Sequence, residues 1–270
     1  MDRTRNIWLI PLLVVTATWL FPIVWTAITS LKTEGGLTGL TPTFVFEPTL
    51  ASYVDLFQHR DYGHYLLNSL AVAGGTTVLA MLLACFPAYA LARAALPGRE
   101  QIAMWVLSLR MLPPIATVVP FYLILSRANL LDTYVGLVTV YLSFSLPFAI
   151  WMLQGFFAEV PKSIDEAAEA DGAGHLTILF RFILPLSRSG FAVTTIFTFI
   201  FAWNEFLYAF LLTKERWVTL PVRLGSTITP FQTDWGFLTA GAMVSFLPLL
   251  IVVFFLQREM ARGMALGTMR

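Results

Sequence analysis

The chain has 270 residues, 57% of them hydrophobic and only 12% charged, where a soluble domain carries about 25% charged residues. Too little charge is available to cover a water-facing surface, so the apolar excess must face lipid. A formal net charge of +1 with scattered Lys and Arg gives no basic patch for nucleic acid, and the lone Cys85 excludes a disulfide framework or paired redox motif within one chain.

A membrane-spanning helix needs about 20 mostly apolar residues. Six runs qualify: 7–30, 65–92, 102–126, 134–157, 191–213 and 237–257. The first is longer than the apolar region of a secretory signal, about 7–15 residues, and no small-residue cleavage site follows it, so it is expected to be retained. Only Arg110 in the third run and Glu205 in the fifth are charged. Interior Pro and Gly residues, among them Pro22, Gly74, Gly75, Pro87, Pro113, Pro114 and Pro147, predict bends. These bends reflect either a wet pathway or ordinary irregular packing. With the N-terminus inside, ten Lys and Arg face the cytoplasm against six outside, which predicts that both termini are cytoplasmic.

The loop over residues 158–190, between the fourth and fifth runs, reads as two short helices. Ser163 followed by Glu166 fits a capping box that starts the first helix just after Pro161. Ala167, Ala168 and Ala170 favour helix and leave room for close approach, while Asp165, Glu166 and Glu169 keep charge on it. Gly172 is placed to end it in a left-handed turn. Leu176, Leu179, Phe180 and Ile183 then predict one apolar stripe on a second helix, which Pro185 should stop. That stripe needs a cover, either a partner protein or the chain's own bundle.

The series Glu166-Ala167-Ala168, Asp171-Gly172-Ala173, then Phe180, Ile183, Leu184, Pro185 and Leu186 resembles the EAA loop of ABC-importer permeases. Asn68-Ser69-Leu70, Ala88-Tyr89-Ala90, Met111-Leu112-Pro113-Pro114 and Trp203-Asn204-Glu205-Phe206, with Gln257, Arg258, Gly263 and Gly267, resemble the carbohydrate-uptake branch. Within it the chain is most like the maltose-type half that lacks a large periplasmic domain. Two departures stand out. Ser189 replaces a common proline, and the tail ends Thr268-Met269-Arg270, which puts a tail contact with the ATPase in question.

The resemblance implies an all-α integral membrane protein of the bacterial cytoplasmic (inner) membrane. It would form a single transmembrane domain over residues 1–270, with six transmembrane helices and a cytoplasmic coupling (EAA) helix between the fourth and fifth spans. Its implied partners are a second permease subunit, an ATP-binding cassette ATPase dimer and an extracytoplasmic solute-binding protein, with a sugar or polyol as cargo. The docking residues carried over are Ser163, Glu166, Ala167, Ala168, Asp171, Gly172, Ala173, Phe180 and Pro185. Thr229, Pro230, Phe231 and Gln232 fall where the family contacts its binding protein, though an interfacial aromatic turn would read the same way.

Arg110, Trp203, Asn204 and Glu205 are candidates for the translocation pathway or substrate, against plain hydrogen bonding between helices. No cofactor, catalytic or metal site is expected in this chain. None of Lys32, Lys162 or Lys214 follows a glycine, so it lacks the phosphate loop, and ATP with Mg belongs on the partner ATPase. The alternatives are an ion-coupled secondary transporter, for which Glu205 is the one acidic intramembrane residue, and a membrane enzyme built on His59, His64, Asp55 and Asp61, which also fit a solvated helix.

Overall fold

The computed structural model describes the backbone of residues 3–37, 45–228 and 233–267, and the side chains of 9–33, 35–37, 45–228 and 233–257. In chain order the main helices are α1 (Arg3–Ser30), α2 (Ala51–Gln58), α3 (Tyr62–Arg93), α4 (Arg99–Ser108), α5 (Pro114–Arg127), α6 (Tyr134–Glu159) and α7 (Lys162–Ala170). They continue as α8 (His175–Leu186), α9 (Arg188–Trp203), α10 (Leu207–Leu212), α11 (Leu220–Gly225) and α12 (Trp235–Gly267). Among the described residues the one β-feature is an isolated antiparallel bridge between Ile228 and Thr233.

Four helices are long and apolar enough to cross a membrane: α1, α3, α6 and α12. The count rises to six only if two bent pairs each make one span. The run 102–126 is thus not the single helix that its hydropathy suggests, since Arg99–Met111 meets α5 at 84°. Two consecutive prolines are the cause. Each proline forces the residue before it out of the helical region, and Leu112 and Pro113 are both extended, at ψ 126° and 125°. Pro114 then starts α5 at a position where its missing N–H costs nothing. The run 191–213 is also interrupted, because α9 ends at Trp203 and α10 begins only at Leu207.

Contacts divide the chain into two compact units. In the first, Met1–Leu66 with Arg223–Pro248, Tyr62 is fully buried and its hydroxyl donates to the Gly241 carbonyl. Arg60 bridges Asp55 and Asp234 at 2.6 Å each, and the other Asp234 oxygen accepts the Phe237 amide at the start of α12. Asp55 also faces His59 at 3.3 Å, so these two members of the candidate enzyme cluster belong to a surface ion-pair network, while the His64 amide donates to the Asp61 carbonyl. No group of three His, Cys, Asp or Glu suited to a metal occurs among the described residues. Leu12, Leu13, Trp19 and Phe21 of α1 are all exposed, which water would not tolerate as one continuous surface.

The second unit comprises Leu67–Val222 and Leu249–Arg270. Its core packs Met81, Ala84, Ala88 and Leu91 of α3 with Leu153 and Phe157 of α6 and with Ala168, Ile178, Leu179 and Ile183 from the loop between α6 and α9. That loop is therefore built into the domain rather than tethered to it.

Candidate functional site

Helix α7 starts two residues earlier than the capping-box reading requires. Pro161, at φ −57° and ψ 135°, is the N-cap, and no side chain caps the helix. A capping serine must lie outside the helix with extended backbone, whereas Ser163 is already in the first turn, so the expected box with Glu166 does not form.

The C-terminal end matches expectation. Gly172 takes φ +80°, the Ala173 amide reaches back to the Ala168 carbonyl at 2.9 Å, and the Gly172 amide donates to the Glu169 carbonyl at 2.9 Å. Those two bonds make a Schellman motif, which satisfies carbonyls that a frayed end would leave open. Glu166, Ala167, Asp171 and Gly172 are exposed, while Ala168 is only 5% exposed and Ala173 is half-buried against the same core. The helix thus has an outer face free for contact and an inner face fixed to the domain.

The stripe on α8 differs from the expected one. Leu179 and Ile183 are buried, but their companion is Ile178, and Leu176 and Phe180 are 63% and 48% exposed. A π-helical turn over Leu179–Ile183 shifts the angular phase, so a 3.6-residue period misassigns the face. The same turn accommodates Pro185, whose missing N–H would break an ordinary helix. Pro185 therefore lies inside a short helical piece, Leu184–Leu186, and the stop comes at Ser187, where the chain bends by 82° into α9. Phe180 remains at the surface, edge-on to Phe86 at 6.1 Å.

The sequence offers no hint of what holds α7 in place from α3. Arg93, the last residue of α3, sits 3.1 Å from the Asp165 carboxylate and donates to the Val160 carbonyl at 2.8 Å. No local pattern links residues so far apart along the chain.

The intramembrane candidates do not converge. The Arg110 guanidinium lies over the rings of Phe148 and Phe201, at 4.4 and 4.0 Å, a cation–π arrangement that supplies negative ring faces in place of a carboxylate. Glu205 occupies the break between α9 and α10, where its two oxygens accept the amides of Tyr208 at 2.9 Å and Ala209 at 3.1 Å. It caps the new helix, and the Tyr141 side chain lies beside it. Trp203 is 3% exposed and stacked on Phe199, leaving no open ring face for a ligand. Asn204 is exposed, with its amide donating to the Ile200 carbonyl. Thr229, Pro230, Phe231 and Gln232 lie outside the described residues.

A polar buckle with no local sequence signature ties the start of α3 to the segment before α11. The Asn68 amide donates to the carbonyls of Arg216 and Val218, at 2.9 and 3.0 Å, and the Leu220 amide donates to the Ser69 hydroxyl at 2.7 Å. From the turn before α6, the Asp132 carboxylate accepts the amides of Glu215, Arg216 and Trp217, each at 3.0 Å. Burial alone would raise the pKa of Asp132, but these backbone donors outweigh it and hold the carboxyl below its ordinary range. A depressed folded pKa contributes stability that is present above the unfolded value, about 3.9, and is lost as pH falls through the folded value. Asp132→Asn is expected to cost about 1–3 kcal/mol at pH 7, toward the low end because the group is partly exposed. Thermal unfolding in detergent should show the gap between the two proteins closing below about pH 4.

Known proteins agree with this architecture. Residues 76–266 match the family described as binding-protein-dependent transport system inner membrane component. The trehalose transport system permease protein SugB of Mycobacterium tuberculosis is 32% identical over 99% of this chain and 98% of its own length. The trehalose/maltose transport system permease protein MalG of Thermococcus litoralis is 32% identical over 93% and 91%. A chain in the crystal structure of a bacterial ABC transporter involved in the import of alginate superposes with a TM-score of 0.78, covering 96% of this chain and 98% of that one. At 21% identity that likeness speaks for the fold alone. The matched segment takes in most of α3 and all that follows it through α11, including the capped, half-buried helix α7, so the chain belongs to the binding-protein-dependent transport system inner membrane components.

Proposed function

We propose that this chain is one of two permease halves in an ATP-driven sugar or polyol importer, and that α7 is the handle through which a separate ATPase moves it. The observation that carries the reading is the two-sided construction of α7. Its outer face of Glu166, Ala167, Asp171 and Gly172 is open, while Ala168 and the Schellman end fix its inner face to the domain core. Coupling requires contacts that differ between two states of the complex, and a rigid helix transmits such a difference where a flexible loop would absorb it. Closure of the ATPase dimer would carry α7 with it, and α6 and α9 on either side would follow, changing which side of the membrane the central cavity faces.

In this reading Arg99–Met111 with α5, and α9 with α10, supply the two further spans, which gives six, with both termini and α7 in the cytoplasm and an extracytoplasmic binding protein delivering the cargo. ATP and Mg stay on the ATPase, since this chain has no phosphate loop. The carbohydrate class is supported by the relatives, whose names specify trehalose and maltose transport. The buried Trp203 and the capping role of Glu205 weigh against a sugar site at those positions. They also leave the secondary-transporter alternative without a free intramembrane acid among the described candidates.

Glu166 is exposed on α7, so Glu166→Lys should leave the fold intact. The expected result is normal membrane insertion with recovery of the ATPase on purification reduced about tenfold, the equivalent of about 1.4 kcal/mol of docking free energy. Undiminished recovery together with normal substrate-stimulated ATP hydrolysis would argue decisively against the docking role.

A further inference from the structure

We infer that Arg93 and Asp165 form the joint through which movement of α7 reaches α3, making them a positioning pair for coupling. The inference rests on the docking role of α7 proposed above and extends it to a span that the loop does not touch through the chain. Helix α7 is joined covalently to α6 through Val160 and Pro161, and to α9 through α8. Its link to α3 is non-covalent. At that link a single guanidinium serves three elements: it terminates α3, donates to the carbonyl of Val160, the C-cap residue of α6, and faces the Asp165 carboxylate in α7.

The pair is enclosed, with the Arg93 side chain 9% and the Asp165 side chain 14% exposed. Among the described residues neither Asp165 oxygen nor Arg93 Nε has a hydrogen-bond partner, so the 3.1 Å charge contact between them is what compensates this buried carboxylate. An exposed ion pair can open into water at little cost, but one placed here cannot, because separation strands a buried carboxylate with no substitute partner. Any displacement of α7 must therefore draw the end of α3 with it. The apolar contacts of Ala88, Leu91 and Ala92 with the same core accompany the motion but do not direct it, since such contacts slide more readily than a charged one.

The test uses the full complex with its ATPase and binding protein in proteoliposomes, measuring substrate moved per ATP hydrolysed alongside ATPase recovery. Arg93→Gln and Asp165→Asn should each retain the ATPase yet lower the transport-to-hydrolysis ratio about fivefold or more, the lower bound of ordinary coupling energies. Arg93→Lys should fall between these and wild type. The exchanged double variant, Arg93→Asp with Asp165→Arg, should recover part of the lost ratio. A wild-type ratio in both single variants overturns the inference, and so does a double variant no better than the singles, including one in which all three fail to assemble. If instead Glu166→Lys also leaves docking and hydrolysis untouched, the fault lies with the handle reading itself.

Discussion

Gly172→Pro is expected to abolish ATP-driven uptake while leaving the protein in the membrane. The position has φ +80°, and the proline ring holds φ near −65°, so the turn that ends α7 cannot form. Proline also lacks the N–H that Gly172 donates to Glu169, and redirecting the chain separates Ala173 from its bond to Ala168. The local cost is about 3 kcal/mol or more, enough to unravel a nine-residue helix that has no side-chain cap at its other end. The spans are insulated from the change, because nothing lies within 4 Å of a Cβ built at Gly172. That same open space makes Gly172→Asn an informative control, since asparagine tolerates the left-handed conformation and should retain most transport. Uptake and stimulated ATP hydrolysis in proteoliposomes distinguish the cases. Full uptake by the proline variant would mean that the rigid end of α7 is irrelevant to coupling.

How much of this was legible in the residues depends on the range over which each feature is set. Apolar runs at 7–30, 65–92, 134–157 and 237–257 become long helices because hydropathy over a span-length window is a local property. Gly172 is equally local: a helix-forming series ending in Asp-Gly-Ala has few other ways to stop. Ser163 does not cap the helix because Pro161, two positions earlier, already supplies the extended residue that a helix start needs. Pro113 and Pro114 were visible as a bend, but the size of the bend comes from their adjacency, which holds two successive residues extended. The Leu176 and Phe180 stripe failed at a π-turn, for which a fixed 3.6-residue period has no provision. Glu205 looked like a functional charge because the break it caps was hidden inside an apolar run. Arg93 with Asp165, and Asn68 with Arg216, are tertiary pairs, and one sequence carries no signal of which distant residues will meet.

At Gly190 the expected stability effect runs opposite to the usual one, and its sign is what makes it decisive. In an ordinary helix interior, glycine to alanine stabilises by about 1 kcal/mol. Gly190 is buried on α9 just beyond the 82° bend, and a Cβ there would fall 2.0 Å from Phe156 Cγ and 2.5 Å from Phe156 Cβ. The near end of the Phe156 side chain cannot swing away as the tip of a flexible chain could, so α6 and α9 must separate. These are the two helices that the loop carrying α7 and α8 connects, so in the proposed coupling their close contact would be part of the lever. Gly190→Ala should destabilise by about 1–3 kcal/mol, and Gly190→Leu by more, with loss of folded protein on extraction. Gly155→Ala on α6, where nothing lies within 4 Å of the added Cβ, should be neutral or stabilising. Thermal unfolding in detergent compares them directly. If Gly190→Ala raised Tm as Gly155→Ala is expected to, α6 and α9 could not be packed on Phe156 as described, and a rigid connection between the handle and its flanking helices would lose its physical basis.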